Sequence, residues 1–313
     1  MRTWSSMGVE ASASGEALSL ACPAKVNLAL GVGAAQPDGY HPIASWMVAV
    51  RFGDVLTIRR AAGPASTFDR RLAHDVPAAF TIDWPLEKDL AFRAHGLMEK
   101  LVRQPLPVTA ELHKRIPPGA GLGGGSSDAA AMLVGLNRLF GLGISPDALR
   151  QAAQQLGSDV AFLTAALADG EASAIVTGLG EVIEPAPLTR PVPLVLVLPP
   201  FGCPTGQVYR AFDALAGPRV GADAQRVAAL AKASPLPPDA PFNDLAQAAC
   251  HVQPALREAL DRVQRAASWP VHVTGSGAAM FLVAASPAHA QELADQIRAA
   301  TALPAVATQT ISE

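Results

Sequence analysis

Cysteine is scarce in this chain, lysine is rare, and no long apolar run occurs. The 313 residues hold three cysteines, Cys22, Cys203 and Cys250, far apart and without a CxxC pair or Cys/His ligand spacing. That excludes a disulfide framework and a zinc site, and leaves reduced, partly buried thiols as the expectation. Half the residues are hydrophobic and the mean hydropathy is +0.24, much of it from alanine. Still, no run approaches the roughly 18 to 20 apolar residues that a membrane span needs. The net charge is -3 and no dense Lys/Arg block occurs, which argues against nucleic acid as a partner. Residues 1–16 contain no apolar core and carry Glu10 and Glu16, so no signal or transit peptide is expected there. They read as a disordered tail in which Met7 is a second possible start, on a cytoplasmic protein.

What is present is a mixture of strand and helix signals. Ala17–Leu30 alternates as a strand, or a strand pair broken at Pro23, with Lys25 and Asn27 on one face and Val26, Leu28 and Leu30 on the other. Further strands are expected near Ala44–Val50 and Val55–Ile58, hinged at Gly53-Asp54. Asp89–Val102 has helical spacing, and Val108–Leu112 is a short strand. Ser145 followed by Pro146 starts another helix, expected to end at Gly157. The proline-rich stretch Pro185–Pro193 divides the chain into a lobe over 17–189 and a lobe over 190–313. Strands and helices in both lobes make the class α+β.

Between Val108–Leu112 and the next helix lies IPPGAGLGGGSSDAA, with five glycines in seven residues. Gly119-x-Gly121-x-x-Gly124 formally fits a dinucleotide fingerprint, but Pro117-Pro118 stands where its strand should end. A Walker A loop would end in Gly-Lys-Ser/Thr, and this one ends Gly-Ser-Ser-Asp. Glycines still let backbone amides approach an anion, and the helix start adds unpaired donors. The loop therefore predicts a phosphate site, with Ser126 or Ser127 capping the helix or reaching a phosphate-bound Mg²⁺.

IPPGAGLGGGSSDAA resembles the phosphate loop of the GHMP kinases, whose members include galactokinase, homoserine kinase and mevalonate kinase. PAKVNLAL (Pro23–Leu30), PDGYH (Pro37–His41), LGSDVAF (Leu156–Phe162), TGLGE (Thr177–Glu181), PTGQVY (Pro204–Tyr209), FND (Phe242–Asp244) and TGSGAAMF (Thr274–Phe281) resemble further motifs of that family, in order. The resemblance covers roughly residues 17 to 300. It implies the two-lobed GHMP kinase fold, with an N-terminal lobe like ribosomal protein S5 domain 2 and a ferredoxin-like C-terminal lobe. It also implies ATP and Mg²⁺ as cofactors and a small-molecule substrate. The triple-glycine loop is nearest to the branch acting on the 2-hydroxyl of 4-diphosphocytidyl-2-C-methyl-D-erythritol, in isoprenoid biosynthesis. Another small-molecule kinase of the family, or a catalytically silent binding protein on that fold, are the alternatives. A monomer or a homodimer is the expected assembly.

Residue by residue, the resemblance implies a catalytic pair, Asp159 as base and Lys25 beside it. From spacing alone Asp159 reads first as a helix N-cap, with the base reading supplied by the resemblance, and the alternative for Lys25 is an edge-strand lysine. ATP would meet Pro117, Gly119, Ala120, Gly121, Leu122, Gly123, Gly124, Gly125, Ser126 and Ser127, with Leu90 and Lys114 on the adenosine side and Ser127 as a Mg²⁺ ligand. Asn27, Tyr40, His41, Thr205 and Tyr209 would hold the substrate, the aromatics and His41 around cytosine. Two positions depart from the family pattern. Asp89 stands in place of an asparagine, so that side chain cannot donate to adenine as an amide would. Ala161 stands in place of a proline, which is expected to loosen the loop behind the base.

Overall fold

The computed structural model describes residues 10–11, 17–73, 76, 80–215 and 222–312. In chain order the first half contains β1 (Glu10–Ala11), β2 (Ala17–Val32), β3 (Ile43–Arg60), β4 (Thr67–Leu72), α1 (Leu90–Val102), β5 (Val108–Lys114), α2 (Gly124–Phe140), α3 (Pro146–Gln154), α4 (Ser158–Ala168), β6 (Ser173–Gly178) and β7 (Val182–Pro185). The second half contains β8 (Pro193–Val197), α5 (Thr205–Leu215), α6 (Ala224–Ala231), β9 (Phe242–Asn243), α7 (Ala246–Val252), α8 (Pro254–Ala267), β10 (His272–Val273), β11 (Met280–Val283), α9 (Pro287–Thr301) and β12 (Ala305–Gln309).

Eight strands form the first sheet along β1-β2-β3-β5-β4, with β6 and β7 continuing from β3 and β9 returning to β2. The second sheet has four antiparallel strands in the order β10-β11-β8-β12. Counted within that sheet, the order is second, third, first, fourth, which is the ferredoxin-like arrangement. Period-2 alternation sorts the side chains into layers. Leu194, Leu196, Phe281 and Val283 turn towards Val26, Leu28, Trp46 and Val48 of the first sheet, so the two sheets share a core. Val195, Val197, Met280 and Leu282 face the other way, under α5, α7, α8 and α9. Helices α1, α2 and α4 cover the outer face of the first sheet.

Several local expectations change. Ala44–Ile58 is one strand, not two hinged at Gly53-Asp54, because β2 stays paired alongside it through Cys22↔Asp54 and Pro23↔Gly53. Strand β2 likewise runs through Pro23, and a register shift between Pro23 and Lys25 accommodates the missing N–H. A second shift between Asn27 and Ala29 turns Leu30 away from Val26 and Leu28, into the core of the second half. Helix α3 stops at Gln154, and Gly157 instead caps α4. Ala161 lies inside α4, where its N–H donates to Gly157 O at 3.2 Å, so losing the proline adds a helix bond instead of loosening a loop. In the expected tail, Glu10–Ala11 pair with Ser19 and Leu18; the rest of residues 1–16 lies outside the described residues.

Candidate active site

A cavity of about 1070 Å³ opens between the lobes, walled by the glycine loop, strand β2, the start of α4, the start of α5 and the 275–276 turn. The helix after the loop begins earlier than expected. Its N-cap is Gly123, with φ +69°, and neither Ser126 nor Ser127 caps it. The first helical bond joins Ser127 N–H to Gly123 O at 2.8 Å. Helix geometry then leaves the amides of Gly124, Gly125 and Ser126 without backbone acceptors, which is a local anion site. A side chain at Gly123 would need the left-handed conformation and would place Cβ 2.9 Å from Lys25 Cγ. At Gly121, also at positive φ, a Cβ would lie 2.6 Å from Thr274 O. The loop is thus pressed against the second lobe, and Cys203 N–H and Ala279 N–H donate to its Gly119 and Ala120 carbonyls.

Lys25 projects from β2 into this cavity, almost fully buried. Its Nζ donates to Asn27 Oδ1 at 2.7 Å and stands 3.5 Å from Asp159 Oδ2. Asn27 is braced in turn, its Nδ2 donating to Ser45 Oγ and its backbone N–H to Thr274 Oγ1. A buried ammonium needs such partners, and here they fix its direction. Asp159 sits in the first turn of α4, 30% exposed, with the cavity in front of it. Across the cavity Tyr209 packs against His41, ring centroids 5.1 Å apart. Burial, helped by the Asp159 carboxylate, pushes the Tyr209 phenol up to about 12, so it remains a neutral donor. His41 Nδ1 donates to Gly33 O at 2.9 Å, which leaves Nε2 towards Asp213 Oδ1 at 3.4 Å. Tyr40 stands at the mouth, 66% exposed, and Thr205 Oγ1 is 2.9 Å from Ser276 Oγ.

The cavity brings together every candidate residue read from the sequence except Ser127. Ser127 is fully buried behind the wall and its Oγ has no partner, whereas Ser126 lines the cavity. Lys114 lines it too, but its Nζ is held by Asp54 at 2.7 Å and by a short contact to Asp128. Burial opposes its charge, yet Asp128 and Asp54 outweigh this and keep the ammonium well above the ordinary lysine range. Burial in turn drives the Asp128 carboxyl upward against the pull of Lys114. Asp54 also accepts from the amides of Arg115 at 2.5 Å and Ile116 at 2.7 Å, tying down the chain where β5 leaves the sheet for the loop.

Sequence reasoning missed Asp54, Asp128, Ser45, Thr274 and Asp213. Asp128 and Thr274 lie inside the glycine-rich motifs at 116–130 and 274–281, and Asp213 lies one helical turn after Tyr209 on α5; Ser45 carried no comparable signal. Among the described residues no cluster of three or more His, Cys, Asp or Glu could hold a metal, and no helix is long and apolar enough to cross a membrane.

Residues 89–174 match the family described as GHMP kinases N terminal domain, and residues 243–302 match GHMP kinases C terminal. A protein of Caulobacter vibrioides named 4-diphosphocytidyl-2-C-methyl-D-erythritol kinase is 36% identical over 285 residues, 90% of this chain and 94% of that one. One of the same name from Symbiobacterium thermophilum is 41% identical over 213 residues, 67% of this chain and 71% of that one. A crystal structure of 4-(cytidine 5'-diphospho)-2C-methyl-D-erythritol kinase superposes with a TM-score of 0.73 at 32% identity, covering 94% of this chain and all of that one. A homoserine kinase from Cytophaga hutchinsonii, at 15% identity and TM-score 0.66, shares the fold.

Proposed function

The chain belongs to the GHMP kinase family, and from that premise we propose that it moves the γ-phosphoryl group of ATP onto the 2-hydroxyl of 4-diphosphocytidyl-2-C-methyl-D-erythritol. The observation that carries this reading is the Lys25–Asp159 pair, set 3.5 Å apart between a glycine-rich anion site and the Tyr209–His41 wall. Phosphoryl transfer asks the protein mainly for position and charge. The amides of Gly124, Gly125 and Ser126 hold the phosphates, and Lys25 orients the substrate hydroxyl. Asp159 takes its proton as the oxygen bonds to the γ-phosphorus and ADP departs. Asn27 keeps Lys25 aimed, while Tyr209, Tyr40 and His41 hold the cytosine end, Thr205 closing that side. Mg²⁺ would enter with the nucleotide, held by its phosphates; the Ser127 hydroxyl is buried behind the cavity wall, and Ser126 is the serine of the helix start that lines the cavity. The ion supplies charge neutralisation on the β- and γ-phosphates. The setting is the methylerythritol phosphate route, in the cytoplasm.

A coupled ADP-release assay over a panel of alcohols tests this. Turnover is expected with the cytidyl compound, and CMP is expected to compete with it and not with ATP. Equal phosphorylation of alcohols lacking the cytidyl group would favour a kinase of other specificity. ATP and cytidyl binding without ADP release would favour a silent binding protein.

A further inference from the structure

The glycine loop sets a direction along the cavity. A Cβ at Gly123 would touch Lys25, whereas one at Gly125 would sit 3.6 Å from Leu90 Cδ1. A nucleotide with its terminal phosphate at Lys25 and Asp159 therefore extends past the start of α2 towards Leu90. Trp84, Lys88 and Asp89 line that end. Trp84 is half-buried and anchored three times. Its Nε1 donates to Asp89 Oδ2 at 3.1 Å, its carbonyl accepts from Arg70 Nη2 at 3.3 Å, and the Arg70 guanidinium lies 5.8 Å from the ring centroid. Asp89 is fully committed to this assembly: Oδ2 also accepts from Arg70 Nη1 at 3.2 Å, and Oδ1 accepts from Ala91 N–H at 3.0 Å as the N-cap of α1. Its carboxylate therefore orients an indole instead of reading a base edge.

We propose that Trp84 is the wall on which the nucleotide's base stacks, with Asp89 and Arg70 as its positioning residues. A ring already fixed in place loses little rotamer freedom when a base arrives, so most of the stacking gain survives as affinity. Stacking on an aromatic side chain tolerates any base and is worth about tenfold to a hundredfold in affinity. The inference rests on the proposed kinase reading for the direction in which the nucleotide lies.

The test titrates the full chain with ATP, without the alcohol, following tryptophan fluorescence and heat of binding together. ATP is expected to quench the wild-type fluorescence. Trp84→Phe should lose most of that quench while keeping affinity within about tenfold, since a smaller ring still stacks. Trp84→Ala should weaken ATP about tenfold to a hundredfold and leave KM for the cytidyl alcohol unchanged. Arg70→Gln should fall between them, because the ring stays but loses its support. Wild-type affinity in Trp84→Ala, or an undiminished quench in Trp84→Phe, overturns the assignment while the kinase reading stands. If the wild-type chain gives no heat with ATP, both fall together. An unfolded Trp84→Ala, recognised by a lost KM for the alcohol, leaves Trp84→Phe to decide.

Discussion

Gly123→Ala separates the two duties of the glycine loop. Gly123 has φ +69°, and a Cβ there would come 2.9 Å from Lys25 Cγ. Gly170 has φ +83° and open space around the same position, which makes Gly170→Ala a matched control. Both variants adopt a left-handed alanine, costing about 1 to 2 kcal/mol each. For a chain of this size that lowers Tm by roughly 2 to 8 °C. Only Gly123→Ala also pushes on Lys25, whose Nζ is held 2.7 Å from Asn27 Oδ1 and 3.5 Å from Asp159. Restoring ordinary contact requires the lysine to move by a few tenths of an ångström or more. Misplacement of about 1 Å can cost on the order of a hundredfold in rate, so a kcat loss of about tenfold is expected for Gly123→Ala and none for Gly170→Ala. Tm by calorimetry and kcat by ADP release provide the two readouts. Equal kcat in the two variants, alongside equal losses of Tm, would refute the idea that this glycine exists to seat Lys25.

Asp159→Asn should lower kcat by about 10² to 10⁴ while ATP binding by calorimetry stays near wild type; retained turnover would remove Asp159 from the role of base. Tyr209→Ala and His41→Ala should raise KM for the cytidyl substrate about tenfold or more with KM for ATP almost unmoved. The folded-state phenol of Tyr209, pushed up to about 12, lies above the unfolded tyrosine value near 10. The folded state therefore favours the protonated phenol, and stability is lost only as pH rises from about 10 upward. Tyr209→Phe should flatten that alkaline loss in pH-dependent denaturant titrations and change nothing at neutral pH. Burial raises the thiols of Cys22, Cys203 and Cys250; Asp128 and Asp54 add to the shift of Cys22 and the Cys250 thiol to that of Cys203, while Arg257 opposes that of Cys250. A thiol reagent at pH 8 should consequently label none of the three in the native protein and all of them in denaturant; fast native labelling would contradict their burial.

Much of this site was legible in the sequence because its signals are local. Five glycines before an alanine-rich helix announce an anion site through backbone chemistry, and the alternation of β2 puts Lys25 and Asn27 on one face whatever lies opposite. The Ser145–Pro146 helix start and the position of the strands follow from equally short-range rules. Where prediction slipped, a partner distant in the chain decided. The N-cap moved from the serines to Gly123 because the loop, pressed between Lys25 and Thr274, had to turn before it reached them. Leu30 changed faces because a bulge opposite β3 interrupted the alternation. Lys114 was expected on the adenosine side of the nucleotide, and Asp54 and Asp128, 60 and 14 residues away, hold its ammonium. Asp89 looked like a lost donor, and only the arrival of Arg70 and Trp84 gave its carboxylate an occupation. Backbone freedom and periodicity are properties of a short stretch, so the chain states them outright. The pairing of buried charges depends on which segments the fold brings into contact, and that information exists only once the sheets have closed over them.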